Sequence, residues 1–349
     1  MDDSLKSELV IKSPFLVARE STPPVIVVGL PRSGSSYLAH AISCLEDWFV
    51  FDDLYPYQKA ASLGISSSFD LSLDREKLKE FINKLAWQLR AKIKFEENFY
   101  IPNLEWEDTF EMENILMNAL DISPLTWSQV LEEWLMRLTV HCGKHRWGYK
   151  TPQDFLHMDE LTDLFPGVKF IYIFRDPRKV MRSFKNLPRV KTSGNQDGES
   201  RQYHPVIYSL YWKRAYENVN EFIKRDRAPV EIVKFEHLVK EPEIVSERLA
   251  KFLDTKISGK VALDKGNSSF KNSACRELTN TEVWICEKIS GSYMQAAGYD
   301  LTHSTPRLSD IFDLTLTSAT FGTYQFQRVV QDKRARASVT SFLKSLLKN

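Results

Sequence analysis

Two hydrophobic periods alternate along the chain. Residues 25–28 (Val-Ile-Val-Val), 48–51 (Trp-Phe-Val-Phe), 146–150, 168–174 and 229–235 are short runs rich in β-branched and aromatic side chains. Such near-continuous apolar runs predict strands buried on both faces of a parallel sheet. Between them apolar residues recur every three or four positions, the helical period. Residues 74–95 carry Leu78, Phe81, Leu85, Leu89 and Ile93 near one face, and Thr126 is placed to cap a helix carrying Val130, Leu131, Trp134, Leu135 and Leu138. Further helices are predicted over 37–42, 153–165, 177–186, 204–225, 241–254 and 281–296. The alternation predicts an α/β fold: a central parallel sheet flanked by helices, with a mostly helical insertion at about 70–142. Residues 1–22 read as a lead-in, 23–300 as the α/β domain and 301–349 as a C-terminal segment. Val190 to Ser200, rich in Gly, Ser, Asn and charge, reads as a mobile loop.

Composition narrows the function classes. The 349 residues fit one large α/β domain with an insertion, or two modest ones. With 47 Lys and Arg against 46 Asp and Glu, the chain lacks the basic excess of a general nucleic-acid binder, so any anionic ligand must be gripped locally. Cys44, Cys142, Cys275 and Cys286 have no CxxC spacing and read as reduced intracellular thiols. Residues 1–19 are charged, and no window approaches 18 unbroken apolar residues, so neither a signal peptide nor a membrane span is expected; the expected location is cytoplasmic.

The first strand runs into Gly29-Leu30-Pro31-Arg32-Ser33-Gly34-Ser35-Ser36 and then a helical segment. Gly29 and Gly34 have the spacing of the two glycines of a P-loop, where backbone N–H groups and a helix N-terminus meet phosphate oxygens. Ser35 stands where that loop carries its lysine, and the cation sits inside the loop instead, as Arg32. The change disfavours a nucleoside triphosphate and leaves a glycine turn as the bland alternative. A second anion grip follows the strongest strand: Arg175 lies at its carboxyl end, where open α/β sheets bind ligands, and Ser183 lies eight residues on, about two helical turns. Guanidinium and hydroxyl can close on one phosphate. The alternative is a surface arginine paired with Asp176 beside an exposed serine.

These segments resemble the sulfotransferases that use 3′-phosphoadenosine 5′-phosphosulfate, in particular the bacterial and tyrosylprotein-sulfotransferase-like branch. Pro31 to Ser36 resembles their 5′-phosphosulfate loop, and Phe174-Arg175-Asp176-Pro177 with Ser183 resembles their 3′-phosphate motif. Trp147 to Pro152 is similar to their WxxKTP segment, Val233 to Val239 followed by Glu241-Pro242 to a later YEDLV-type segment, and Ala297-Gly298-Tyr299 to their LGY signature. The likeness spans about residues 24–300. Phe235 replaces the usual Tyr, and Ser35-Ser36 the usual Thr pair.

The resemblance implies a P-loop-like α/β fold and sulfuryl transfer to a hydroxyl or amine of an acceptor. Backbone amides from Ser33 through Gly34 and Ser35 to Ser36 would hold the 5′-phosphosulfate, with Arg32 and Lys150 neutralising charge as the sulfuryl group leaves. Arg175 and Ser183 would hold the 3′-phosphate, with Ser269 and Lys271 as additional candidates near it. The stable product would be 3′-phosphoadenosine 5′-phosphate. In the tyrosylprotein branch the general base is a carboxylate; the family interval counted from Arg32 without a gap lands on Asp53, beside Asp52. In cytosolic members it is a His, for which His157 is the best candidate among His40, His141, His145 and His157. A solvated Asp52-Asp53 turn is the bland alternative. His141-Cys142 with His145 suggests no complete metal set, and no metal is expected.

The insertion, with Trp87, Trp106, Trp127 and Trp134, is expected to shape a pocket for a small-molecule acceptor, although several of these rings will be core. Arg328 and the basic residues of 333–336 either close over the nucleotide or form a solvated tail. A homodimer is the candidate assembly, dimers being the commonest oligomers. Two competing readings are a P-loop small-molecule kinase and a non-catalytic nucleotide-binding protein on the same fold.

Overall fold

The structure, a computed structural model, describes residues 22–65, 75–96, 101, 104–122, 125–187, 203–257 and 276–331. The first half of the chain forms β1 (Val25–Gly29), α1 (Ser35–Ser43), β2 (Trp48–Phe51), α2 (Pro56–Ser62), α3 (Arg75–Phe95), α4 (Trp106–Ile122), α5 (Trp127–His141), β3 (Arg146–Lys150), a 3-10 turn (Pro152–Leu156), α6 (Met158–Leu164) and β4 (Lys169–Phe174). Then follow α7 (Pro177–Lys185), α8 (Pro205–Arg225), β5 (Val230–Lys234), α9 (Phe235–Lys240), α10 (Pro242–Leu253), α11 (Asn280–Ala296) and α12 (Ser309–Gln331). These elements fall into two units, the first drawn from 22–29, 35–173 and 225–257 and the second from 30–34, 174–224 and 276–331.

The first unit holds a five-stranded sheet in the order β2-β3-β1-β4-β5. β1 pairs in parallel with both β3 and β4, and β2 pairs in parallel with β3. β1 is buried along its whole length, as a strand covered on both faces must be. On one face Val25, Val27, Ile171 and Ile173 pack with Leu38 and Ile42 of α1 and Leu249 and Leu253 of α10. Aromatic contacts link the sheet to the helical insertion: Phe51 meets Trp134 at 5.1 Å between ring centroids, and Trp147 and Trp127 both meet Phe165 edge-on. Trp127 and Trp134 are therefore core residues, whereas Trp87 and Trp106 are exposed.

Gly148 fits where no other residue would. A Cβ there would lie 2.4 Å from the carbonyl oxygen of Val25, its register partner on β1. Gly148→Ala is expected to cost about 3 kcal/mol, because two central strands would have to part; urea unfolding with an unchanged m-value is the check.

Thr126 caps α5 in a full capping box with Gln129, as the sequence suggested. The helix expected over 153–165 is broken: His157, at φ −129°, separates the 3-10 turn from α6. Four helices were not anticipated: α2, α4 as a separate element, α9 and α12.

The second unit packs α7, α8, α11 and α12. Asp176 caps α7, and Thr279 caps α11 in a capping box with Glu282. Lys185 of α7 pairs with Glu282 at 2.8 Å, and Arg178 with Glu287 at 3.0 Å. The C-terminal segment thus includes a 23-residue helix. Asp310 of α12 accepts from the Thr281 hydroxyl at 2.9 Å, and Ser318 meets His204 at 3.1 Å. The Arg328 side chain and residues 333–336 lie outside the described part, as do 190–200, Ser269 and Lys271. Among the described residues, no helix is long and apolar enough to cross a membrane, and no group of side chains is arranged to hold a metal.

Candidate active site

In the first unit, strand register builds a lysine–carboxylate centre. Phe51 of β2 pairs with Tyr149 of β3, so the residues that follow them, Asp52 and Lys150, leave adjacent strands at the same end of the sheet. Lys150 is only 1% exposed; its ammonium donates to Ser36 Oγ of α1 at 3.0 Å and to Asp53 Oδ1 at 2.5 Å, and it forms an ion pair with Asp52 Oδ1 at 2.7 Å. Both carboxylates stay partly open to solvent, which leaves a face a ligand can approach.

This geometry depends on an unusual turn. Asp53 and Tyr55 both sit in the left-handed region, at φ 54°, which is uncommon for non-glycine residues and costs on the order of 1–2 kcal/mol each. Leu54 N–H donates to the Lys150 carbonyl at 3.2 Å, Tyr55 N–H to Thr151 Oγ1 at 2.9 Å, and the Tyr55 hydroxyl to Asp53 Oδ1 at 3.3 Å. Burial first, then the neighbouring carboxylates, push the Tyr55 phenol well above its ordinary pKa, so it stays a donor.

In the second unit, the loop and the β4 exit form an arginine–serine centre. Arg175 donates from Nη1 to the carbonyl of Arg32 at 2.9 Å, and Arg32 donates from Nε to Ser183 Oγ at 3.0 Å. Arg32 is held at φ 71°, so the loop turns sharply there, and Gly34 follows at φ 92°, where a side chain would be strained. Trp212 Nε1–H anchors the Arg175 carbonyl at 3.0 Å. The Asp176 carboxylate caps α7 and engages Arg178, whose guanidinium also reaches Glu287 and the Asp300 carbonyl. Arg175 is 8% exposed.

The structure thus brings Arg32, Arg175 and Ser183 together in one unit, and Lys150, Ser36, Asp52 and Asp53 together in the other. Ser33 and Ser35 are buried, consistent with a loop that would present backbone rather than side chains. His157 is not among the Lys150 partners; it stacks on Tyr57 at 4.1 Å between ring centroids.

Asp154, three residues before His157, was not singled out from sequence and carries no local signal. It is fully buried, and neither carboxyl oxygen has a well-formed hydrogen bond. The Tyr149 hydroxyl also lacks one, although the two groups interact closely enough for the phenol to favour the carboxylate. Desolvation dominates and pushes the Asp154 carboxyl up to about 7, with His157, Tyr149 and Lys59 pulling the other way. Between the ordinary Asp value and about pH 7, the folded state keeps a proton that the unfolded state has lost, so this group's contribution to stability falls as pH rises through that window. Asp154→Asn should therefore melt several degrees above the wild type at pH 8, with the gap closing toward pH 4. Calorimetric melting across that range is the check; a gap independent of pH would rule out the carboxyl as its source.

The pattern of the Sulfotransferase family matches residues 23–258. Among solved structures, the chain is similar to a sulfotransferase domain from the curacin biosynthetic pathway, at 17% identity over 81% of this chain and 100% of that one, with a TM-score of 0.48. It is also similar to the sulfotransferase domain of the Synechococcus PCC 7002 olefin synthase (17% identity, 86% and 95% covered, TM-score 0.44) and to a sulfotransferase from Mycobacterium avium (17%, 85% and 82%, 0.44). No curated protein matches the chain.

Proposed function

Because this chain belongs to the sulfotransferase family, we propose that it transfers the sulfuryl group of 3′-phosphoadenosine 5′-phosphosulfate to a hydroxyl or amine of a small-molecule acceptor. The observation that carries the reading is the setting of Lys150, a buried cation hydrogen-bonded to Ser36 and Asp53 and ion-paired with Asp52. The donor substrate supplies the sulfuryl group; the residues supply positioning and charge, which is most of what such a transfer requires.

Arg175 and Ser183 would hold the 3′-phosphate, the loop amides from Ser33 to Ser36 the 5′-phosphosulfate, and Arg32 the charge building on the leaving oxygen. Lys150 would exchange one of its acceptors for a sulfuryl oxygen. Asp53 would take the proton of the acceptor as its oxygen or nitrogen bonds to sulfur and the bond from sulfur to the phosphate oxygen breaks. Asp52 would keep Lys150 charged and oriented while that proton moves. His157, packed on Tyr57, is the less favoured base.

Calorimetric titration of the protein with 3′-phosphoadenosine 5′-phosphate, adenosine 5′-phosphate and ATP with magnesium tests the donor. The bisphosphate should bind at least about 100-fold more tightly than the monophosphate, the worth of a buried charge-assisted grip. Preference for ATP with magnesium would support the kinase reading instead.

A further inference from the structure

The strained turn that carries Asp52 and Asp53 is held from behind by two side chains outside the motifs. Lys59 of α2 donates from Nζ to the Leu54 carbonyl and to the Gln88 side-chain oxygen, and Gln88 of α3 donates from its amide to the Asp53 carbonyl. The carbonyls of two consecutive turn residues are thus tied to one lysine–glutamine pair. The amides of Leu54 and Tyr55 are tied to β3 and to the residue after it, through the Lys150 carbonyl and Thr151 Oγ1. A turn with Asp53 and Tyr55 both left-handed persists only where its surroundings over-determine it, and these four attachments do so. Lys59 is mostly buried and burial lowers its pKa to about 8, with Asp154 facing it as counter-charge and Lys92 and Lys84 opposing. An amine so desolvated, bonded to a backbone carbonyl and an amide oxygen, is placed to hold the turn rather than to sit in solvent.

We propose that Lys59 and Gln88 are positioning residues for sulfuryl transfer, acting together as a clamp on the Asp53 and Leu54 carbonyls that keeps both carboxylates on Lys150. The inference rests on the sulfuryl-transfer reading of that centre. The pair's bonds go to the turn, so its loss should lower turnover without weakening nucleotide binding. A misplacement of about 1 Å can cost about 100-fold in rate.

The test uses the full chain, the bisphosphate as binding probe and water as acceptor, with release of sulfate from 3′-phosphoadenosine 5′-phosphosulfate as the readout. Lys59→Met and Gln88→Leu are compared with wild type, with Lys59→Arg as the conservative variant and Gln88→Leu as the milder lesion should Lys59→Met fold poorly. Amide exchange of residues 52–57 is followed in parallel. The expected result is a fall in kcat of about 10- to 100-fold in both variants, a dissociation constant for the bisphosphate within twofold of wild type, faster exchange at Leu54 and Tyr55, and recovery of most of the rate in Lys59→Arg. Unchanged exchange, kcat within twofold of wild type, or affinity that falls in step with rate would each overturn the clamp. If the wild type itself neither binds the bisphosphate nor releases sulfate, the sulfuryl-transfer reading fails, while the exchange measurement still decides whether the pair holds the turn.

Discussion

Lys150→Met should reduce sulfuryl transfer at least about 1000-fold while leaving the fold intact. Removing one preorganised donor from a developing charge commonly costs 100- to 1000-fold, and Lys150 offers both a charge and three donors. Methionine roughly matches its length and can fill the buried space. The cost to stability comes from what the lysine leaves behind. Asp52 and Asp53 both point an oxygen at the ammonium, at 2.7 and 2.5 Å, and without it two carboxylates share one space. The variant should therefore lose stability relative to wild type. Thermal melting, beside initial rates, separates the two effects. A variant that keeps more than about a tenth of wild-type turnover would remove Lys150 from the chemistry.

Arg175→Ala is the second large effect, and it should appear in binding. Loss of a charge-assisted phosphate grip is expected to weaken the bisphosphate about 100-fold and adenosine 5′-phosphate far less. Ser183→Ala should cost less, about 5- to 10-fold, since a neutral hydroxyl contributes less than a guanidinium. The Arg175 guanidinium also donates to the Arg32 carbonyl, so the alanine variant loosens the loop as well as emptying a phosphate grip. Arg175→Lys separates the two, because lysine keeps the charge without the planar fork that serves carbonyl and phosphate together. Calorimetry with the two nucleotides side by side reads the difference. Equal losses for both would mean that Arg175 supports the loop and reads no 3′-phosphate.

Much of this was legible in the chain. All five strands lie within a residue of their predicted bounds; β1, β2 and β4 were legible because a strand buried on both faces leaves a run of β-branched and aromatic residues, whereas β5 is half-buried and carries Glu231. The α5 start was legible because a capping box is a local event. The helix over 153–165 was misjudged at His157, where tertiary contacts of the ring and of Asp154 break a pattern that reads as continuous. α12 was missed because Thr315, Thr317, Thr320, Thr323 and Gly322 give it weak helical propensity; it is tied down by distant partners such as Thr281 and His204, which no local pattern reports.

The candidate site divides in the same way. The sequence by itself determined Arg32, Arg175 and Ser183 as candidates, because anion chemistry needs particular residue types at fixed offsets from a strand end; Lys150 and the Asp52-Asp53 pair came through the family resemblance. Only the tertiary structure decided what each of them does with its side chain. Strand register, not spacing, sets Asp52 and Asp53 against Lys150 from 97 residues away. The turn of the loop, not its composition, brings Arg32 to Ser183 across 151 residues. Lys59, Gln88 and Asp154 had no signal at all, since a buried lysine or a solitary buried acid looks in sequence like any surface charge; their roles arise from desolvation and from partners that meet only when the chain is folded.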